Sequence, residues 1–160
     1  MAATTAWHNG TLKKDMRIYL DMSALKRPFD DQGQDRIWLE TMAVLRILRD
    51  AEVGQWAVMN SAALELENAR NPKQVRRTRV GVILRSFGEP SAVSDAVFAA
   101  ACDMRALGFA DMDALHLGFA TVHRVDFFVT CDDGIVDRAK KRKVGVRVLT
   151  PIDFIRECGK

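Results

Sequence analysis

The chain has 160 residues, 48% of them apolar and 28% charged, which suits one globular domain with a substantial core and argues against a disordered or fibrous protein. Its 24 lysines and arginines outnumber its 21 acidic residues only slightly, for a net charge of +3, so the placement of charge matters more than its sum. The three cysteines, Cys102, Cys131 and Cys158, are widely spaced and include no Cys-x-x-Cys pair, which suggests neither a disulfide framework nor a zinc site and fits a reducing cytoplasm. Each is expected to pack as a small buried hydrophobe. No apolar stretch is long enough to span a bilayer and the opening residues carry no export signal, so neither membrane insertion nor export is expected.

In chain order, residues 1–15 read as a loose extension and residues 16–158 as the domain. "MRIYLD" (16–21) is a β-prone run that gives way to "DMSALKRPFDDQGQD", whose turn and charged residues predict a loop. Residues 34–50 carry Ile37, Val44, Leu45 and Leu48 at helical spacing, with Gly54 just past the end. "QWAVM" (55–59) predicts a second strand. "NSAALELENARN" predicts a helix capped by Asn60 or Ser61 and stopped by Pro72. A helix with a basic face follows over 73–87, another over 92–107 closed by Gly108, and a nearly all-apolar, hence buried, one over 110–124. "DFFVT" (126–130) and "VGVRVL" (144–149) predict strands around a helix over 133–143, and Pro151 starts a C-terminal helix.

Strands alternating with helices predict an α/β fold with a central parallel sheet flanked by helices. Continuous apolar runs such as "FFV" point to strands buried on both sides. In such sheets the functional crevice lies beyond the carboxyl ends of the strands.

Carboxylates collect where that rule points. Asp21 closes the first strand, and Asp132 follows "FFVT" after one residue. Asp113 lies in the first turn of the apolar helix, where an unpaired buried charge is costly, while its neighbour Asp111 reads as the helix N-cap. Glu40 interrupts an apolar helical stripe, either as a supporting acid or as the partner of a nearby arginine. Glu65 and Glu67 are two residues apart on one helix, so only one can face inward, and periodicity does not choose between them. Carboxylates converging on one crevice repel one another unless a cation sits among them, and hard oxygen donors suit Mg²⁺ or Mn²⁺. Such a centre serves phosphoryl chemistry.

Four segments, "IYLDMSALKRPFDD", "NSAALELENARNP", "DMDALHLGFA" and "DFFVTCDDGIVDRA", together resemble the PIN-domain nucleases, in particular their bacterial VapC-like members, from about Met16 to about Glu157. The resemblance implies a three-layer α/β/α fold and a metal-dependent ribonuclease site. It places the site acids at Asp21, at Glu67 rather than Glu65, at Asp113 and at Asp132. It makes Glu40 a supporting carboxylate, and it gives Ser23 or Thr130 the orienting of a ligand or a water. Asp133 is expected to cap the helix that follows, leaving Asp132 to the metal. His116 reads as a packing residue one turn along a buried helix, and His123 and His8 carry less signal.

Basic residues cluster in "ARNPKQVRRTR" (Arg70, Lys73, Arg76, Arg77, Arg79) and "DRAKKRKVGVR" (Arg138, Lys140, Lys141, Arg142, Lys143). They read either as solvated helix faces or as flanks of the crevice that neutralise RNA phosphates, with Arg76, Arg77, Arg79, Lys140, Lys141 and Arg142 the candidates. The expected activity is endonucleolytic hydrolysis of an RNA phosphodiester. The resemblance implies a homodimeric toxin held by an antitoxin protein. The alternatives are a binding module without catalysis and an enzyme using Asp21 as a covalent nucleophile, although Ser23 stands where the latter type wants a second aspartate.

Overall fold

The computed structural model describes residues 15–160, together with the backbone of two short strands, β1 (Trp7–His8) and β2 (Thr11–Leu12), which pair antiparallel. The expectation of a loose extension over residues 1–15 otherwise falls outside the described residues.

A four-stranded parallel sheet forms the centre, in the order β4 (Ala57–Val58), β3 (Arg17–Leu20), β5 (Phe127–Val129), β6 (Arg147–Leu149). The register sets Tyr19 beside Phe128, and their rings stack at 5.3 Å. One residue earlier the pleat turns Phe127 to the opposite face, where it meets Phe154 edge to face at 5.5 Å. Phe154 belongs to α8 (Pro151–Cys158), whereas Tyr19 meets His116 of α6 (Asp111–Val122), so helices cover both faces of the sheet. Ile18, Tyr19, Leu20, Phe128 and Val129 are wholly buried, as the unbroken apolar runs predict.

The segment after Asp21 is helical rather than a loop: α1 (Met22–Lys26) runs into a 3₁₀ turn over Arg27–Phe29. Asp21 caps α1 by accepting from the Met22 amide, and burial of Met22, Ala24 and Leu25 compensates for a sequence rich in turn formers. The long helix α2 (Asp35–Glu52) forms as its periodicity predicts, and Gly54 follows it with φ +79°, a left-handed turn that suits glycine. Its buried face is shifted from the predicted stripe. Glu40, Thr41, Ala43, Val44 and Ile47 point inward, while Trp38, Leu39, Met42 and Leu45 stay about half exposed.

Helix α3 (Ala62–Ala69) is capped by Ser61, and α4 (Gln74–Ser86) carries the basic run. Helix α5 (Asp95–Ala106) lies tightly on α6 at Gly118, where a Cβ would come within 3.0 Å of the Val97 carbonyl. Helix α7 (Asp133–Lys141) starts directly after β5. Among the described residues no helix is long and apolar enough to cross a membrane.

Candidate active site

Because β3 and β5 are neighbours in parallel, their carboxyl ends come out side by side: the Asp21 amide donates to the Val129 carbonyl at 2.9 Å, extending the ladder one step. Asp21 is 4% exposed, and both its oxygens are engaged. Oδ1 accepts from the Met22 amide at 2.9 Å; Oδ2 accepts from the Ser23 hydroxyl at 2.9 Å and the Thr130 hydroxyl at 2.7 Å. Thr130 in turn accepts from the Asp132 amide at 3.0 Å, and Ser23 accepts from the Cys131 amide at 3.0 Å. The two hydroxyls therefore lace the β3 and β5 exits together and hold Asp21 and Asp132 in fixed relation. Both hydroxyls thus orient the Asp21 carboxylate.

Asp132 is itself the N-cap of α7, its Oδ1 accepting from the Gly134 amide at 2.8 Å and the Ile135 amide at 3.3 Å. This corrects the division of labour read from the sequence, which gave the cap to Asp133. Asp133 lies one residue inside the helix and turns outward into a two-point pair with Arg36, at 2.6 and 2.7 Å, which holds its carboxyl below the usual range. Asp111 likewise is not an N-cap; Ala110 occupies that position, and Asp111 pairs with Arg105 at 2.8 Å on the surface.

On α3, Glu67 meets His116 Nε2 at 3.2 Å, whereas Glu65 accepts from the Asn60 side-chain amide at 3.0 Å. Asp113, in the first turn of α6, completes the cluster. Its carboxyl is pushed up to about 6 by burial and by the negative charges of Asp21, Asp132 and Glu67, with His116 acting in the opposite sense. The acids of β3, α3, α6 and the β5 exit are thus close enough to feel one another.

Glu40 stands apart. It is 2% exposed and lies between Arg27 at 3.1 Å and Arg36 at 2.6 Å, so of its two sequence readings the arginine partner is the one that the structure realises. Through Arg36 the network continues to Asp133, which ties α2 to the start of α7 behind the site. Cys131 is buried beside it, its thiol pushed up to about 12 by burial and by Glu40. Cys102, by contrast, is exposed, against the expectation for all three cysteines.

Of the basic candidates, Arg76 donates to the Phe29 carbonyl at 2.7 Å and Arg77 to the Asn71 carbonyl at 2.7 Å, so both hold the fold together. Arg79, Lys140, Lys141 and Arg142 are exposed. His123 stacks on Phe119 at 6.1 Å, and the His8 side chain lies outside the described residues. Sequence reasoning passed over Tyr19, whose hydroxyl bonds both Ser61 and His116; the signal available was a phenol in a strand buried on both sides, which needs a polar partner.

Among the described residues no three histidine, cysteine, aspartate or glutamate side chains are drawn together as a ready-made metal centre. The donor chemistry nevertheless suits a hard divalent cation: Asp113 feels the charges of Asp21, Asp132 and Glu67, and its own carboxyl is raised to about 6. Ligation would require the carboxylates to turn toward a common point.

No family model and no curated protein matches the sequence. Among solved structures, one similar chain occurs in the crystal structure of VapBC2 from Rickettsia felis bound to a DNA fragment from their promoter. The likeness has a TM-score of 0.53 at 12% identity and covers 84% of this chain and 98% of that one. At this identity it speaks to the fold alone, and that fold is the α/β arrangement, a parallel sheet flanked by helices, that the resemblance to PIN domains implies.

Proposed function

We propose that the protein is a metal-dependent endoribonuclease of the PIN type, acting in the cytosol as the toxin of a toxin–antitoxin pair. What supports the activity is that Asp21 and Asp132 follow the carboxyl ends of adjacent parallel strands and are joined through Thr130, with the charges of Asp21, Asp132 and Glu67 all felt at Asp113. These residues would hold Mg²⁺ or Mn²⁺, which supplies neutralisation of phosphate charge and polarisation of an attacking water. The chain's own contribution is placement. Thr130 and Ser23 fix Asp21, the α7 amides fix Asp132, and the exposed Arg79, Lys140, Lys141 and Arg142 meet the RNA backbone without reading its sequence. The partner role draws support from a neighbour solved as a VapBC complex and from the half-exposed apolar residues Trp38, Leu39, Met42 and Leu45 of α2, which offer a protein partner a surface.

The test is cleavage of end-labelled RNA by the purified chain with Mg²⁺ or Mn²⁺, with EDTA, and by the Asp21→Asn and Asp132→Asn variants checked for folding by circular dichroism. Internal cleavage that needs the cation and disappears in both variants is the expected result. Cleavage that survives EDTA or Asp21→Asn would overturn the proposal, and binding of RNA without any cleavage would leave a binding module instead.

A further inference from the structure

A buried chain of hydrogen bonds runs from Ser61 to Glu67 by way of two other elements. Ser61 Oγ lies 2.7 Å from the Tyr19 hydroxyl, which lies 2.6 Å from His116 Nδ1; His116 Nε2 reaches Glu67 Oε2 at 3.2 Å. Ser61, Tyr19 and His116 are all 0% exposed. Each link is held from elsewhere: Ser61 caps α3 through the Leu64 amide, and the Tyr19 ring is clamped on Phe128. Glu67 itself is different, since its side chain is 30% exposed and has solvent within reach.

The directions of the bonds follow from chemistry. A carboxylate only accepts, so Nε2 carries the proton that Glu67 receives; in the neutral imidazole Nδ1 is then an acceptor for the Tyr19 hydroxyl, which accepts in turn from Ser61. Ser61 and Glu67 sit at the two ends of α3, so the chain closes a loop that fixes where this helix presents its acid. Nε2 also lies 4.0 Å from Asp21 Oδ1, which places the same N–H between two of the site acids.

We infer that His116 is a positioning residue for Glu67, held in register by Tyr19 and Ser61, and that it sets the affinity of the carboxylate cluster for a divalent cation. This rests on the metal-dependent reading above. Groups that orient metal-binding side chains typically matter by about 10- to 100-fold in metal affinity.

The two nitrogens can be tested separately. Glutamine at position 116 carries an amide where Nε2 stands, and asparagine carries one near Nδ1. Mn²⁺ is titrated into the intact protein and free Mn²⁺ is read by electron paramagnetic resonance, for wild type, Glu67→Gln, His116→Gln, His116→Asn and Tyr19→Phe. His116→Asn is expected to bind Mn²⁺ about 10- to 100-fold more weakly, Tyr19→Phe to weaken it in the same direction, and His116→Gln to stay close to wild type. Glu67→Gln weak but His116→Asn equal to wild type would overturn the inference while sparing the metal reading. Should the wild type bind no Mn²⁺, the metal reading falls, and metal-free crystals of His116→Asn still decide the positioning claim. There, Glu67 swung away from its wild-type position supports it, and Glu67 unmoved refutes it. Tyr19→Phe keeps the core volume and serves if the position 116 variants fail to fold.

Discussion

Replacing Asp113 by asparagine should make the metal-free protein more stable at neutral pH while removing the proposed nuclease activity. The folded state raises this carboxyl from 3.8 to about 6, chiefly by burial and by the charges of Asp21 and Asp132. A raised acid binds its proton more tightly in the folded than in the unfolded chain, so stability falls as pH climbs from about 4 through about 6, and the penalty is full above about 7. At 1.36 kcal/mol per unit the shift corresponds to about 3 kcal/mol. Asp113 is partly exposed, and solvent screening reduces this to about 1 kcal/mol. With a urea slope near 2 kcal/mol/M, Asp113→Asn should raise the midpoint by about 0.5 M at pH 7.5. Near pH 4, where the wild-type carboxyl is protonated in the fold, the two proteins should unfold together. Paired urea titrations followed by circular dichroism at both pH values make the measurement. A variant no more stable than wild type at pH 7.5, or one stabilised equally at both values, would show that Asp113 carries no electrostatic strain.

Glu40→Ala removes one carboxylate from Arg27, which keeps Asp30, and one from Arg36, which keeps Asp133, and should cost about 2 kcal/mol, read as a fall in thermal midpoint. A midpoint within a degree of wild type would mean that the network is dispensable. Gly118→Ala drives a methyl to within 3.0 Å of the Val97 carbonyl and 3.1 Å of the Ala101 nitrogen, and should cost about 1–3 kcal/mol as α5 is forced from α6; an unchanged urea midpoint would contradict that contact. Iodoacetamide at mildly alkaline pH should label Cys102 first and Cys131 last in the native chain, because Cys102 is exposed and the Cys131 thiol is buried and raised to about 12. Peptide mapping by mass spectrometry that found Cys131 modified first would refute the packing around Glu40.

The parallel sheet and most of the helices were legible because their signals are local: "FFV" and "RIYL" are apolar without interruption, and Gly54 and Gly108 punctuate helices with φ values of +79° and +96°. Helix α1 was not, because what stabilises it is the Asp21 cap and the burial of Met22 and Leu25 under elements distant in sequence. The same holds for the face of α2. Glu40 turns inward there only because Arg27, thirteen residues earlier, comes back to meet it, and no helical periodicity contains that fact. At the candidate site, Asp21, Glu67, Asp113 and Asp132 were singled out through a family resemblance, while the hydrogen bonds that Thr130, Ser23 and His116 make to Asp21 and Glu67 are properties of the folded arrangement.

For strand-end aspartates, capping and function are commonly treated as rival readings, and under the proposed function they would coincide. Asp21 caps α1 and Asp132 caps α7, so each carboxylate is partly neutralised by backbone amides at a helix start, and Glu67 has the N–H of His116. These acids can therefore be charged in the folded chain without a cation. Asp113, in the first turn of α6, has no amide or hydroxyl bonded to it among the described residues, and the fold raises its carboxyl to about 6. The caps that look like ordinary turn chemistry are thus what allow negative charge to accumulate at the sheet edge. On the metal-dependent reading, a bound cation would favour the charged form of Asp113 that burial and its neighbours oppose.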